Sequence, residues 1–574
     1  MRPTFKPQFT LKLGHLSYFL GFLSSAIHFP LARIFIVLKK IRRYTLKTVL
    51  FSLMAFCFLY SIASYWMGVK TQEVLEEQLD SLKTLPFIVI KSQSYERGVF
   101  SATQTVELEI DRTKLDNTLK VLPDFLQALS QHSIRYTNEI SHGPAPQLRR
   151  IARAHVRTVF EYAPETQKTL SAFFGDKTPL SIENTLGFGG GGRLTFTVPA
   201  FNYKETLAGV TLDWAGLDAS IEYKRHFNEY ISNLRLPSLI LSVKDKGGFS
   251  FKDAQFHTEK KRDASGLYVG KTHSQLANMT FNWQDKIAYN LKLNDLIEVM
   301  TQIKLGNFIN PTGQILPSSL SVNNVQYQAD SRIAEGYLSG NGVLSFDRFL
   351  YGSTPYGPFK IDVAIDHLHA QGLMTLSQSL ENLVQEASNP NPNVAFLQTI
   401  KKQGWPVLSH QPNITLKQLS LTTPNGLVDI SGQFTLQPLT EADLLNDSAL
   451  LQKIAIQLDV NVPKLMIQNL ILAQIHAAAS VDSSAQDETD WTEIDKTFIS
   501  MLDSLVSAWV NKGYIDQQGA QLKTQLKLNN GSLSVRDKVI KRWEQEEDNI
   551  DELMNNSASE PLSSKPFSSG VLVN

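Results

Sequence analysis

Thr48 to Val69 (TVLFSLMAFCFLYSIASYWMGV) is an uncharged run closed by Lys47 on one side and Lys70 on the other, and it limits what the chain can become more than any other stretch. At about 1.5 Å per residue it is roughly 33 Å long as a helix, enough to cross a bilayer core of about 30 Å. Arg33, Lys39, Lys40, Arg42, Arg43 and Lys47 crowd its near side, and Glu73 is the first acidic residue. Positive charge is held on the cytoplasmic side of a membrane. The expectation is a single-pass transmembrane helix at 48–69, the N-terminus in the cytoplasm and everything after residue 70 outside. Tyr65, Trp66 and Met67 do not form a small-residue cleavage site, so the span reads as a permanent anchor.

The preceding segment, 1–47, has an apolar stretch, Leu16 to Leu31, interrupted by His28 and Pro30 and followed by Arg33. Proline and ionisable residues make a poor span. It reads either as a basic cytoplasmic or interfacial segment or as the first arm of a helical hairpin.

Composition bounds the exported part. With 55 Lys+Arg against 55 Asp+Glu the net charge is zero, so no field draws in nucleic acid, and that class of partner is set aside. Cys57, the single cysteine, lies inside the span. The body is therefore expected to be held by apolar burial without disulfides.

Periodicity then assigns elements. TQEVLEEQLDSL places Val74, Leu75, Leu79 and Leu82 near one helical stripe, a juxtamembrane helix over 70–86. From Phe100 the period drops to two, with Phe100, Ala102, Val106, Leu108 and Ile110 alternating against polar residues. Phe87 to Tyr95 is also strand-like, so with Arg97-Gly98 as the turn a hairpin opens the body. Strands recur at Val210–Tyr223, Ser238–Val243, Gly248–Phe256, Met279–Leu293, Val428–Leu436 and Ile454–Val462, and Asn530-Gly531 marks a late hairpin. Helical stripes run from Leu373 to Val384 and through Ile494, Phe498, Met501, Leu502, Leu505 and Trp509. Met466 to Ala479 is apolar but too short to span, and His476 in it reads as a core or rim residue. The fold expected is α+β and β-dominated: an N-terminal transmembrane helix, then a long antiparallel sheet at 87–540 with a few covering helices. A division into two lobes would fall near 387–395, at Asn389-Pro390-Asn391-Pro392, and 541–574 reads as a disordered tail.

SYERGVFS (Ser94 to Ser101), NEISHGPAP (Asn138 to Pro146), KTPLSIENTLGFGGGG (Lys177 to Gly192), YGPFKIDVAIDHLHAQGL (Tyr356 to Leu373) and GYIDQQGAQLKTQLKLNNGSLSV (Gly513 to Val535) together resemble the YdgA family of bacterial envelope proteins, over about residues 45 to 540. The resemblance implies a single-pass inner-membrane protein with a periplasmic body and implies little chemistry. The segment before the span is longer here than the family pattern leads one to expect.

No residue is nominated as catalytic, cofactor-binding or metal-ligating, and no cofactor is expected. His142, with His132 or His155 as partner, sits in a His-Gly-Pro word that ordinary turn chemistry explains. GFGGGGR (Gly187 to Arg193) is followed by a strand where a phosphate cradle needs a helix, and so reads as a hairpin loop. Lys260-Lys261-Arg262 reads as solvated turn charge. Asp362, Asp366, His367 and His369 are the densest ionisable cluster, but on a regular strand the acids and the histidines fall on opposite faces. Two function classes follow: a non-catalytic envelope scaffold or interaction protein whose apolar strand faces form a groove for lipid or for another envelope protein, and a tethered hydrolase whose site assembles only in the fold. A contiguous apolar channel favours the first, and convergent, perturbed ionisable groups favour the second.

Overall fold

The computed structural model describes residues 30–83, 88–111, 133–148, 150–206, 209–283, 319–385, 392–469, 471–472 and 491–543. Its first element, α1 (Pro30–Lys83), is one unbroken helix of 54 residues. The span and the juxtamembrane helix are thus continuous rather than separate. The sequence offers a physical reason: Pro30 occupies the first helical position, where its missing N–H costs nothing, and Gly68 alone is too weak a breaker to stop a helix. Residues 47–59 are exposed on every side. From Tyr60 onward one stripe is covered, through Ser64, Gly68, Thr71, Leu75 and Leu79, which share a face at spacings of three and four.

All the strands among the described residues belong to a single antiparallel sheet of 24. β1 (Ile88–Arg97), β2 (Ser101–Ile110), β3 (Ile134–His142), β4 (Ala154–Glu161), β5 (Ser181–Leu186) and β6 (Gly192–Val198) pair in succession. The chain then makes a bent hairpin: β6 runs on into β7 (Phe201–Glu205), which returns as β8 (Val210–Trp214) and β9 (Leu217–Tyr223). Four long strands follow, β10 (Glu229–Val243), β11 (Gly247–Arg262), β12 (Tyr268–Trp283) and β13 (Ser319–Ala334), with β9 and β8 both lying along β10. A second bent hairpin joins β14 (Tyr337–Phe346) and β15 (Arg348–Tyr351), both along β13, to β16 (Thr354–Tyr356) and β17 (Phe359–His369). β18 (Asn413–Thr423), β19 (Gly426–Leu436), β20 (Ile454–Pro463), the short β21 (Asp516–Gln518), β22 (Gln521–Asn529), β23 (Ser532–Val535) and β24 (Lys538–Arg542) complete it. Because β17 pairs directly with β18, the sheet passes unbroken across the place where a division into lobes was expected.

Most of the remaining described helices pack on individual strands or on one another. α2 (Pro164–Phe174) lies on β7 through Phe173 and Phe174, whose rings meet Phe201 at 5.6 and 4.7 Å. α3 (Ala370–Gln385), α4 (Pro392–Gln403) and α5 (Trp405–Leu408) cluster beside β17, and α6 (Glu441–Leu445) and α7 (Asp447–Lys453) close a second core with Leu436, Leu439 and Leu444. α8 (Trp491–Asn511) buries Leu502 and Val506. Of the stripe expected on it, Met501, Leu505 and Trp509 face outward instead, because the buried line runs one position further round the helix.

A crease crosses the sheet. Leu234 and Leu236 point to the same side as Leu239 and Leu241, so the alternation slips by one at Pro237. Asp253 beside it has φ 51°, and two strands further on Asn324 has φ 52°. The gaps Pro199-Ala200, Ala215-Gly216, Asp347 and Gly357-Pro358 fall at the same level in the neighbouring strands. Irregularities of this kind bend a strand. Phe346 and Phe349, on either side of the crease, have ring centroids 6.4 Å apart, which only side chains on one face can reach. The apolar residues above and below the crease therefore form one continuous face.

Candidate functional site

The words that carry the family resemblance converge where α1 meets the sheet. Gly68 leaves no room beside it: a Cβ there would lie 2.6 Å from Cε1 of His142. His142 is buried, its Nδ1 lies 2.9 Å from the carbonyl oxygen of Ser64, and Ser64 Oγ donates to the His142 carbonyl at 2.8 Å. Gly143 packs on Ser64 with φ 134°, a conformation that favours glycine, and Tyr60 Oη donates to the Ala145 carbonyl at 3.1 Å. Arg97 bonds Gln72 at 2.9 Å and Tyr65 at 3.2 Å. His142 is thus a clamp on the helix. His155 neighbours it on the next strand but pairs with Ser141, and so points to the opposite face, while His132 lies outside the described residues. Burial depresses the His155 imidazole. The small-residue stripe Ser64, Gly68 and Thr71 was the sequence signal for this docking, since small residues let another element approach a helix closely.

Beyond the clamp α1 travels along the sheet. Leu75 packs among Ala102, Ile140, Ala154, Val156, Leu186 and Tyr223, and Gln78 Nε2 donates to Tyr223 Oη at 3.0 Å. From β3 to β9 is about 19 Å at roughly 4.8 Å per strand, and Ser64 to Gln78 is about 21 Å at 1.5 Å per residue. α1 therefore crosses the strands almost at right angles, and the sheet grows strand by strand in the direction the helix points.

The register then defines a row on the face that α1 touches. It begins Gln104, Asn138, Thr158, Ile182, Phe196 and Ala219, and continues Leu234, Phe256, Ser274, Tyr327, Leu344, Ile361, Leu419, Ile430 and Val460 to Thr524. At about 4.8 Å per strand this is roughly 70 Å long. Above the crease a second row reads Trp214, Leu239, Phe251, Met279, Val322, Phe349 and Tyr356. The first positions are polar and interlinked: Asn138 Nδ2 donates to Gln104 at 2.9 Å and Thr158 Oγ1 to Asn138 at 2.7 Å, with Tyr223 Oη donating to Asn184 at 3.0 Å nearby. Burial raises the phenols of Tyr95, to about 12, and of Tyr223. In the middle the row is apolar except for Ser274, and it is most open at Phe256, Tyr327 and Leu344, which are 37%, 41% and 37% exposed, the other members being half-buried.

The other sequence candidates take ordinary places. Gly187 to Gly191 forms the β5–β6 turn, with Gly192 and Arg193 opening β6, and Gly191 is needed there because a Cβ would lie 2.3 Å from the Tyr223 carbonyl. Lys261 pairs with Glu229 at 3.5 Å, but Lys260 is half-buried, donates to the Gly270 carbonyl at 3.3 Å and has its ammonium depressed by burial, so it is not simply solvated charge. Asp362 lies between Lys360 and Lys417, at 3.9 and 3.7 Å, and Asp366 accepts from Ser339. His367, at φ 62°, stacks on Tyr337 at 4.0 Å, and His369 stacks on His410 at 4.2 Å. That gathering includes His410, which sequence spacing did not connect to it, and leaves the two acids apart. His476 lies outside the described residues, as does 544–574. Among the described residues no group of three or more His, Cys, Asp or Glu is placed to hold a metal ion.

α1 is also the one helix among the described residues long and apolar enough to cross a membrane. No curated protein and no solved structure was found to match the chain. A family model matches residues 45–541, which takes in the apolar run, the clamp and the whole sheet through β23, and by that match the chain belongs to the bacterial protein family of unknown function DUF945.

Proposed function

We propose that this is a bacterial inner-membrane protein that works without catalysis, lending its apolar face as a shield for lipid acyl chains that leave the membrane. The observation that carries the reading is the largely apolar stretch of the long row, Leu234 to Val460, interrupted by Ser274 and exposed at Phe256, Tyr327 and Leu344, on the same face that α1 clamps. The basic residues before the span favour a cytoplasmic N-terminus, and with the YdgA resemblance they favour a periplasmic sheet. An apolar face exposed over many strands is costly in water unless a partner covers it, and acyl chains match its chemistry without needing convergent polar groups. The tethered-hydrolase reading draws less support, since His142 is sealed against Gly68 and Asp362 lies between lysines.

The test is mass spectrometry of lipid retained by the full-length protein after detergent exchange, compared with a Phe256→Glu, Leu344→Glu double variant in the exposed part of the long row. The full chain is required, because Ser64, Gly68 and Thr71 form part of the seat on the sheet. Lipid bound by the native face and lost from the variant supports the shield. Equal lipid in both would assign all of it to the span and contradict the proposal.

A further inference from the structure

We infer that the base of the sheet, through the turn at 98–100 and residues 143–148 and 150–151, is itself seated in the surface of the bilayer that α1 crosses. The argument begins with depth. Tyr60 lies inside the uncharged run, nine residues before its end at Val69, or about 13 Å along the helix. Its hydroxyl bonds Ala145, and its ring centroid is 6.1 Å from that of Phe100. Both turns are therefore fixed beside the outer part of the span. They cannot stand clear of the membrane while Tyr60 is within it.

Side-chain chemistry at that level agrees. Val99 is 45%, Phe100 50%, Leu148 84% and Ile151 89% exposed. Large apolar side chains at turn tips are out of place in water and in place at a lipid surface. One to two helical turns nearer the sheet, Tyr65 and Trp66 are also exposed, and the Arg97 guanidinium lies 5.0 Å over the Tyr65 ring. Apolar tips below, then an aromatic and cationic belt above, is the order of groups met on passing from acyl chains to headgroups. The partner is accordingly the phospholipid bilayer, and the first strands of the long row begin at lipid level. The inference rests on α1 crossing a bilayer and is independent of what the apolar face carries.

The test uses the full chain in liposomes of phosphatidylethanolamine and phosphatidylglycerol, with lipids spin-labelled near the head of the acyl chain. An environment-sensitive fluorophore is attached to native Cys57 or, in a Cys57→Ser background, to Val99→Cys, Leu148→Cys, Ile151→Cys or Asn425→Cys, the last in the β18–β19 turn on the opposite edge of the sheet. The expected result is quenching at 99, 148 and 151 comparable to that at Cys57, and none at 425. If Cys57 is quenched while 99, 148 and 151 behave like 425, the seating is overturned and the span stands. Quenching at 425 equal to that at the base overturns it too, and an unquenched Cys57 removes the span and the inference together.

Discussion

The base of the sheet and its middle present the same face with opposite logic. At the base, α1 covers the face, and the side chains beneath include Gln104, Asn138, Asn184 and Tyr223, buried and hydrogen-bonded to one another or to Gln78. In the middle, where the described helices leave the face uncovered, the row turns to Phe256, Tyr327 and Leu344, each more than a third exposed. A sheet shaped only for solubility would do the reverse, hiding its apolar residues and showing its polar ones. The contrast separates a closed structural joint, which fixes the sheet to its helix, from an apolar surface kept available.

The contrast can be broken by truncation. Leu75→Ala at the base is expected to cost about 3 kcal/mol, the range for a buried leucine that leaves a cavity. Leu239→Ala on the half-buried face should cost about 1 kcal/mol, because less of its surface leaves water. Thermal unfolding of both variants in detergent checks the pair, and equal losses would mean that the middle is a closed core.

Backbone close approach sharpens it next. Alanine normally gains about 1 kcal/mol over glycine inside a helix. At Gly68 the new methyl meets the His142 ring, so Gly68→Ala is expected to lose about 2 kcal/mol by overpacking. Gly342→Ala, on β14 where a Cβ meets nothing within 4 Å, should stay within about 0.5 kcal/mol of wild type. Protection of α1 from protease at the clamp reads the first change directly.

Smaller again is Tyr223→Phe, which removes the bond donated to Asn184 and the one accepted from Gln78, and is expected to cost about 1 kcal/mol. Tyr95 provides the last effect, visible only in alkali. Its phenol is held up to about 12 by burial, against an ordinary value of 10.0. The folded state thus keeps a proton that the unfolded chain gives up. This contribution is complete below pH 10 and is lost as pH rises from there through about 12. A Tyr95→Phe variant should show a shallower fall in unfolding temperature over that interval, and an unchanged profile would contradict the assignment.

Much of this architecture was legible in the residues. The uncharged run, the hairpin at Arg97-Gly98 and the β-dominated antiparallel layer follow from charge and from period. What was not legible came from irregularity and from contact. β13 was missed although Val325, Tyr327, Ala329 and Ile333 alternate with Gln326, Gln328, Asp330 and Arg332; Asn324 puts that pattern out of phase with Leu320 and Val322, so the alternation does not run the length of the strand. Val210 to Tyr223, which reads as one strand, is divided at Ala215-Gly216 by the crease. His142 read as turn chemistry because its partner, Gly68, lies in a different element far away in sequence. The continuity of the long row could not be read at all, since it depends on the register of strands separated by loops of unequal length.

The central claim is that the face which α1 clamps continues as a lipid-contacting surface through the middle of the sheet. It is tested most directly by placing a photoreactive phenylalanine analogue in the full-length protein in intact cells, at Phe251, Tyr327, Ile361 and Val460 on that face and at Gln255 and Gln328 on the other, and weighing the adducts after irradiation. The account expects lipid adducts at all four inner positions and none at the outer two. Adducts confined to protein, or lipid found equally on both faces, would contradict it.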